Sequence, residues 1–85
     1  MNYKQTILSA AKREDIISFF QNRSNSNTNS VRFLFPSKVI VELLDSHRNP
    51  VAPIIIHTPI IFSGPKEQVV KIIADFRIEF LTAGG

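Results

Sequence analysis

The chain has 85 residues, of which 44% are hydrophobic and 20% are charged, with a formal net charge of +3. This length allows one domain, residues 1–85, with a modest core. The absence of cysteine excludes disulfides, thiolate metal ligands and cysteine nucleophiles, and it fits a cytoplasmic protein. No apolar run approaches the ~20 residues of a transmembrane helix, and the first residues lack the apolar stretch of a signal peptide. We therefore expect no membrane partner.

Positive charge is concentrated in residues 1–38, which carry six basic and two acidic side chains, against four and five in the remainder. A basic half indicates an anionic partner, although a solvated surface explains the same charges. Nucleic-acid binding, to RNA or DNA, is therefore the second functional hypothesis. Its predicted contacts are Lys12, Arg13, Arg23, Arg32 and Lys38.

Apolar residues recur near helical spacing from Tyr3 to Phe20, and they predict a helix over residues 3–22. The polar cluster at 12–15 interrupts this pattern. The alternative is therefore a separate first segment ending at Leu8, with Ser9 capping a shorter helix.

Residues 22–30 (NRSNSNTNS) contain only asparagine, serine, threonine and one arginine. Such side chains bond to their own backbone and compete with regular structure. We predict a flexible loop here.

Three later segments are rich in β-branched or aromatic residues and predict strands: 31–35, 38–45 and 51–62. For the second, a helix capped by Ser37 is the alternative. The polar run SHRNP at 46–50 predicts a turn, which would join the second and third strands in a hairpin.

The third predicted strand is unusually apolar, reading VAPIIIHTPIIF. A strand with one solvated face should alternate apolar and polar residues, so both of its faces are expected to need cover. Pro53 and Pro59 cannot donate to a ladder, which predicts an edge position, a bulge or a bend near Thr58.

A second helix is predicted after Ser63 or Gly64, because Pro65 suits a first turn and apolar residues follow at helical spacing. Strict alternation over residues 76–80 makes a strand the alternative there. The predicted fold is α+β, in the order α-β-β-β-α, with an antiparallel sheet and two helices. The apolar stripe of the second helix comprises Val69, Ile72, Ile73, Phe76 and Phe80.

Candidate catalytic groups are few. His47 lies in the predicted turn and His57 in the apolar strand, and neither has a nearby nucleophile or orienting partner. We therefore predict a non-enzymatic protein without cofactor or metal site. Arg32 between aromatic residues would suit base stacking if Phe33 and Phe35 were exposed, but burial is favoured.

Period-two alternation places large apolar groups on both faces of the predicted sheet. Val41 and Leu43 point one way, and Ile40 and Leu44 the other. If both helices stack on one face, the bare face should bind another protein, or a second copy of the chain. The leading hypothesis is thus a protein-interaction or regulatory module that assembles as a homo-oligomer, a homodimer in the simplest case. Its predicted interface residues are Leu34, Ile40, Leu44, Ile55 and Ile61.

Overall fold

A computed structural model describes residues 3–29, 31–48, 50–51 and 55–81. Its antiparallel sheet and two helices confirm the predicted α+β class. The elements are β1 (Tyr3–Ser9), α1 (Arg13–Arg23), β2 (Ser26–Thr28), β3 (Arg32–Leu34), β4 (Ile40–Leu43), β5 (His47–Arg48), β6 (Ile56–Gly64) and α2 (Lys66–Leu81).

The sheet has the strand order β1-β6-β4-β3-β2, and each neighbouring pair is antiparallel. The long strand β6 is central, with β1 on one side and β4 on the other. The short strand β5 follows β4 in the chain and pairs with the beginning of β6. The predicted antiparallel pairing of the second and third strands is present between β4 and β6, but the predicted turn at residues 46–50 is wrong, because His47–Arg48 form β5 and β4 pairs with residues 60–63.

The prediction of a helix over residues 3–22 is wrong at its start, where the structure has a strand. The predicted order α-β-β-β-α therefore omits the first strand of the structure. Residues 3–9 form β1, which pairs with β6 along its whole length, from Tyr3 opposite Gly64 to Ser9 opposite Thr58. Apolar residues four apart in the sequence lie on one face of a helix and also on one face of a strand, so this spacing does not distinguish the two. The alternative of a separate first segment is right about the break. The helix begins at Arg13, while the Ser9 hydroxyl accepts a hydrogen bond from the Ala11 N–H at 3.2 Å.

The polar segment 22–30 is not a loop throughout. Asn22 and Arg23 complete α1, and Ser26–Thr28 form the edge strand β2, whose side chains are all exposed. Its backbone pairs with β3, which requires no apolar side chain. The expected flexibility of the segment stays a prediction.

Pro59 does not end or bend its strand: β6 runs through it from Ile56 to Gly64. The carbonyl of Pro59 accepts a hydrogen bond from the Leu44 N–H at 3.0 Å. In a regular antiparallel ladder the opposite residues exchange two such bonds, and the proline lacks the second donor. Arg13 supplies it, since its Nη1 donates to the Leu44 carbonyl at 2.8 Å. A side chain of α1 thus allows a proline within a central strand. Pro53 lies outside the described residues.

Both helices pack on one face of the sheet. The ring of Phe20 on α1 lies 5.5 Å from Phe33 of β3, 5.8 Å from Phe62 of β6 and 5.5 Å from Phe76 of α2, centroid to centroid. Aromatic pairs at these distances add to the burial of their area. The buried apolar core comprises Ile16, Phe19, Phe20, Phe33, Phe35, Val39, Val41, Leu43, Ile60, Phe62, Val69, Ile73 and Phe76.

The start of α2 agrees with prediction. Pro65 precedes the helix, and its carbonyl accepts the N–H groups of Gln68 and Val69. Residues 76–80 are helical, so the alternative strand is excluded. Gly64 joins strand to helix with φ of +141°, and a Cβ there would lie 2.9 Å from the Lys38 carbonyl oxygen.

Candidate interaction surface

The sheet face opposite the two helices, called the open face below, has no helix of the described residues over it. Successive strand residues point to opposite faces, so burial tells the two apart. Val41 and Phe62 are fully buried under the helices, whereas their neighbours Ile40 and Ile61 on the open face are only half-buried.

Six apolar residues lie together on or beside the open face and are called the apolar patch. Leu8 of β1 is opposite Pro59 of β6, and Leu44 approaches Pro59 from the other side. Ile40 of β4 is opposite Leu34 of β3. Ile61, two residues after Pro59, lies between these two rows, with Thr6 of β1 and Glu42 of β4 directly opposite it on either side. The patch thus comprises Leu8, Leu34, Ile40, Leu44, Pro59 and Ile61, and the three leucines are 60%, 44% and 43% exposed in chain order.

Polar groups lie among and around the apolar patch. Arg32 of β3 is directly opposite Glu42 of β4, and opposite charges in such a pair stabilise a sheet by roughly 0.2–1 kcal/mol. Lys4 lies at the outer edge on β1, opposite Ser63. The acidic group nearest the patch therefore has a basic neighbour, and the further positive charge is at the rim.

The structure brings together four of the five predicted interface residues, because Leu34, Ile40, Leu44 and Ile61 all belong to the apolar patch. Ile55 is exposed and immediately precedes β6. Their role in assembly stays a prediction.

Sequence reasoning missed Leu8 and Pro59. It assigned Leu8 to a helix and placed Pro59 at an edge, a bulge or a bend of its strand, so neither was assigned to a face of the sheet. The available signal was the alternation along β1, where Tyr3, Gln5 and Ile7 point inward between exposed residues. That pattern is weak because Gln5 is polar.

The five basic residues predicted to contact nucleic acid do not share one surface. Lys12 and Arg13 lie at the start of α1 and Arg23 at its end, on the helix side of the sheet. Arg32 lies on the open face, and Lys38 lies in the turn between β3 and β4.

Two of these groups have protein partners, and the aromatic residues beside Arg32 are unavailable. Arg13 bonds to Leu44, and the Arg23 guanidinium lies 3.9 Å from the centroid of the Phe19 ring. Phe33 and Phe35 are buried, as the sequence favoured, so β3 offers no stacking platform. Nucleic-acid binding stays a prediction that the placement of these residues does little to support.

A polar cluster lies between the end of β4 and the start of β5. Arg13 Nη1 lies 3.3 Å from the Ser46 hydroxyl, which is 2.7 Å from the hydroxyl of the buried Thr58. With Ile56 these side chains line a groove of about 460 Å³. Glu14 also lines the groove, but among the described residues no hydrogen bond joins its carboxylate to either hydroxyl, so neither hydroxyl has the adjacent general base that nucleophilic catalysis requires. The contacts join α1 to the sheet, so we assign the cluster a structural role.

The two histidines, ten residues apart in the chain, are direct partners across the β5–β6 pair. Among the described ranges, no group of three or more His, Cys, Asp or Glu side chains is placed to hold a metal ion. The sequence analysis did not predict that the two histidines are neighbours, because it assigned residues 46–50 to a turn and not to a strand.

Comparison with protein-family models, with curated proteins and with solved structures finds no match to this chain. Within the part of the chain that the structure describes, neither helix has the length and hydrophobicity needed to cross a membrane. The function must therefore be argued from the surface itself.

Proposed function

We propose that this protein is a non-enzymatic interaction module that forms a homodimer by packing the open face of its sheet against the same face of a second copy. We assign this role to the cytoplasm, since a chain without cysteine suits a reducing compartment.

The observation that supports the proposal is the placement of both helices on one side of the sheet. The strands carry large aliphatic groups on both faces, and α1 and α2 cover only the face of Phe33, Val41 and Phe62. Contiguous exposed apolar surface of more than a few hundred Å² is uncommon on a monomer and usually marks an interface.

The size of the open face suits a small dimer interface. The five strands comprise 7, 9, 4, 3 and 3 residues in sheet order, and at about 3.4 Å per residue and about 4.8 Å between strands they present a face of about 420 Å². Two such faces in contact would remove about 850 Å² from water, which is below the area of stable specific interfaces and in the range of weak, transient ones. We therefore expect dissociation in the micromolar range.

A second copy fits this surface better than a charged partner would. Packed sheets align their strands within about 30°, so a two-fold axis near Ile61 would set the apolar patches of the two copies against each other. Glu42 is directly opposite Ile61, so it would enter the interface close to this axis, beside Arg32 of its own chain, and Lys4 would lie at the rim. No unbalanced charge would then lie at the centre.

Sedimentation equilibrium between about 1 and 100 μM tests the proposal. The wild-type chain of 9.6 kDa should show twice that mass at the upper concentrations. The double variant Ile61→Thr/Leu34→Thr should weaken the dimer at least tenfold, because each substitution occurs twice in a symmetric interface.

The matched control is Ile78→Thr/Val70→Thr, which removes two exposed aliphatic side chains from the outer surface of α2. It should dimerise like the wild type. A chain that stays monomeric up to about 100 μM, or equal weakening by both double variants, would overturn the proposal.

A further inference from the structure

The register of β5 and β6 places His47 directly opposite His57. Directly opposite side chains leave the same face of an antiparallel pair, with Cβ atoms about 4.5–5.5 Å apart. Two nitrogen ligands of a tetrahedral Zn²⁺ ion lie about 3.3 Å apart at a bond length of about 2.05 Å, which imidazoles on such Cβ atoms can reach. We propose that His47 and His57 form a two-ligand site for an imidazole-binding divalent transition-metal ion such as Zn²⁺.

The two rings are accessible to an ion. His47 is exposed and His57 is half-buried, and neither ring is hydrogen-bonded to a described residue. Neutral imidazole is a preferred ligand of zinc, copper and nickel, whereas magnesium and calcium prefer oxygen. The site therefore selects by ligand chemistry against the abundant hard cations.

Water would complete the coordination, because the described residues supply no third ligand. Such a site binds more weakly than a closed four-ligand zinc site, and it keeps open positions for a further ligand. His57 lies two residues before Pro59 on β6, so the ion would lie beside the apolar patch. The site depends on one chain alone and does not require the proposed dimer.

Titration with ZnCl₂, followed by NMR of the imidazole ring protons, tests the site. Both histidines should respond in one saturable step that ends at one ion per chain. Mg²⁺ should leave both rings unchanged at the same concentrations. A response of one ring alone, or of neither, would overturn the proposal without any variant.

The variants His47→Gln and His57→Gln test the pairing by calorimetry with ZnCl₂. Each should weaken binding tenfold or more, since even partners that only orient a ligand contribute 10–100-fold. The double variant His47→Gln/His57→Gln measures how much Zn²⁺ binds to the chain ends and carboxylates alone. Single variants that bind within about twofold of the wild type would refute a shared ion.

Far-UV circular dichroism should be unchanged in these variants, because both positions lie at the surface end of the hairpin. The Ile61→Thr/Leu34→Thr variant should bind Zn²⁺ as the wild type does. That measurement separates failure of the metal site from failure of the dimer.

Discussion

The two faces of the central strand β6 carry similar side chains in different surroundings. Ile60 faces the helices and is fully buried, whereas the adjacent Ile61 faces away from them and is only half-buried. The hydrophobicity of a residue therefore does not decide its burial here. The placement of α1 and α2 decides it, and it makes one face a core and the other a surface available to a partner.

The largest expected effect is the loss of Phe20, the aromatic residue of α1 that contacts both the sheet and α2. Phe20→Ala should lower the free energy of unfolding by about 3–5 kcal/mol, because it opens a cavity between rings packed on every side. Urea denaturation monitored by circular dichroism measures this change.

Ile61→Thr is the matched test of the open face. At concentrations where the chain is monomeric, this substitution should lower the free energy of unfolding by about 1 kcal/mol or less, since the Ile61 side chain is only half-buried. Equal costs for Phe20→Ala and Ile61→Thr would contradict the distinction between the two faces.

An intermediate effect is expected at Gly64, where the covered side of β6 meets the turn before β4. Gly64→Ala should cost about 2–4 kcal/mol, because φ of +141° strains any side chain and the new Cβ would meet backbone atoms at 2.9 and 3.0 Å. Thermal and urea denaturation would measure the loss. The control Ser63→Ala, one residue earlier on the open face, should change stability far less, and a reversed order would refute the close approach.

A smaller effect than that of Gly64→Ala is expected at Arg13, which connects α1 to the β4 end beside Pro59. Arg13→Met keeps much of the apolar stem but leaves the Leu44 carbonyl without its donor, at a cost of about 1–2 kcal/mol. Lys12→Met is the control, since the exposed Lys12 side chain makes no hydrogen bond to the described strands. A smaller loss of stability in Arg13→Lys than in Arg13→Met would support a donor role for this side chain. Equal stability of Arg13→Met and Lys12→Met would contradict it.

Much of the fold could be predicted from local patterns. The helical stripe from Val69 to Phe80 and the proline at its start were predicted correctly, because they depend on residues close in the chain. The pairing of β4 with β6 was predicted, but its register and its turn were not. The error at residues 3–9 arose because the pairing that makes them a strand is with β6, some fifty residues later. Local spacing carries no information about such a partner.

The apolar patch was predicted only in part, because some of its residues are placed by local alternation and others by long-range pairing. Alternation along β4 assigned Ile40 to the face opposite Val41, and that assignment needs only the period of a strand. Leu8 and Pro59 could not be added, since their neighbourhood depends on β1 joining the sheet edge. The pairing of His47 with His57 was hidden likewise, because a polar segment that reads as a turn folded back as β5.

The sequence by itself determined the class of the protein, its second helix, the pairing of β4 with β6 and the two-sided hydrophobicity of its strands, since these follow from composition and short-range periodicity. The tertiary structure alone decided that residues 3–9 are a strand, that both helices lie on one face and that Arg13 supplies the donor that Pro59 lacks. Each of these depends on contacts between residues distant in the chain. Their geometry is set by packing around Phe20 and by backbone pairing along β6, which no local pattern encodes.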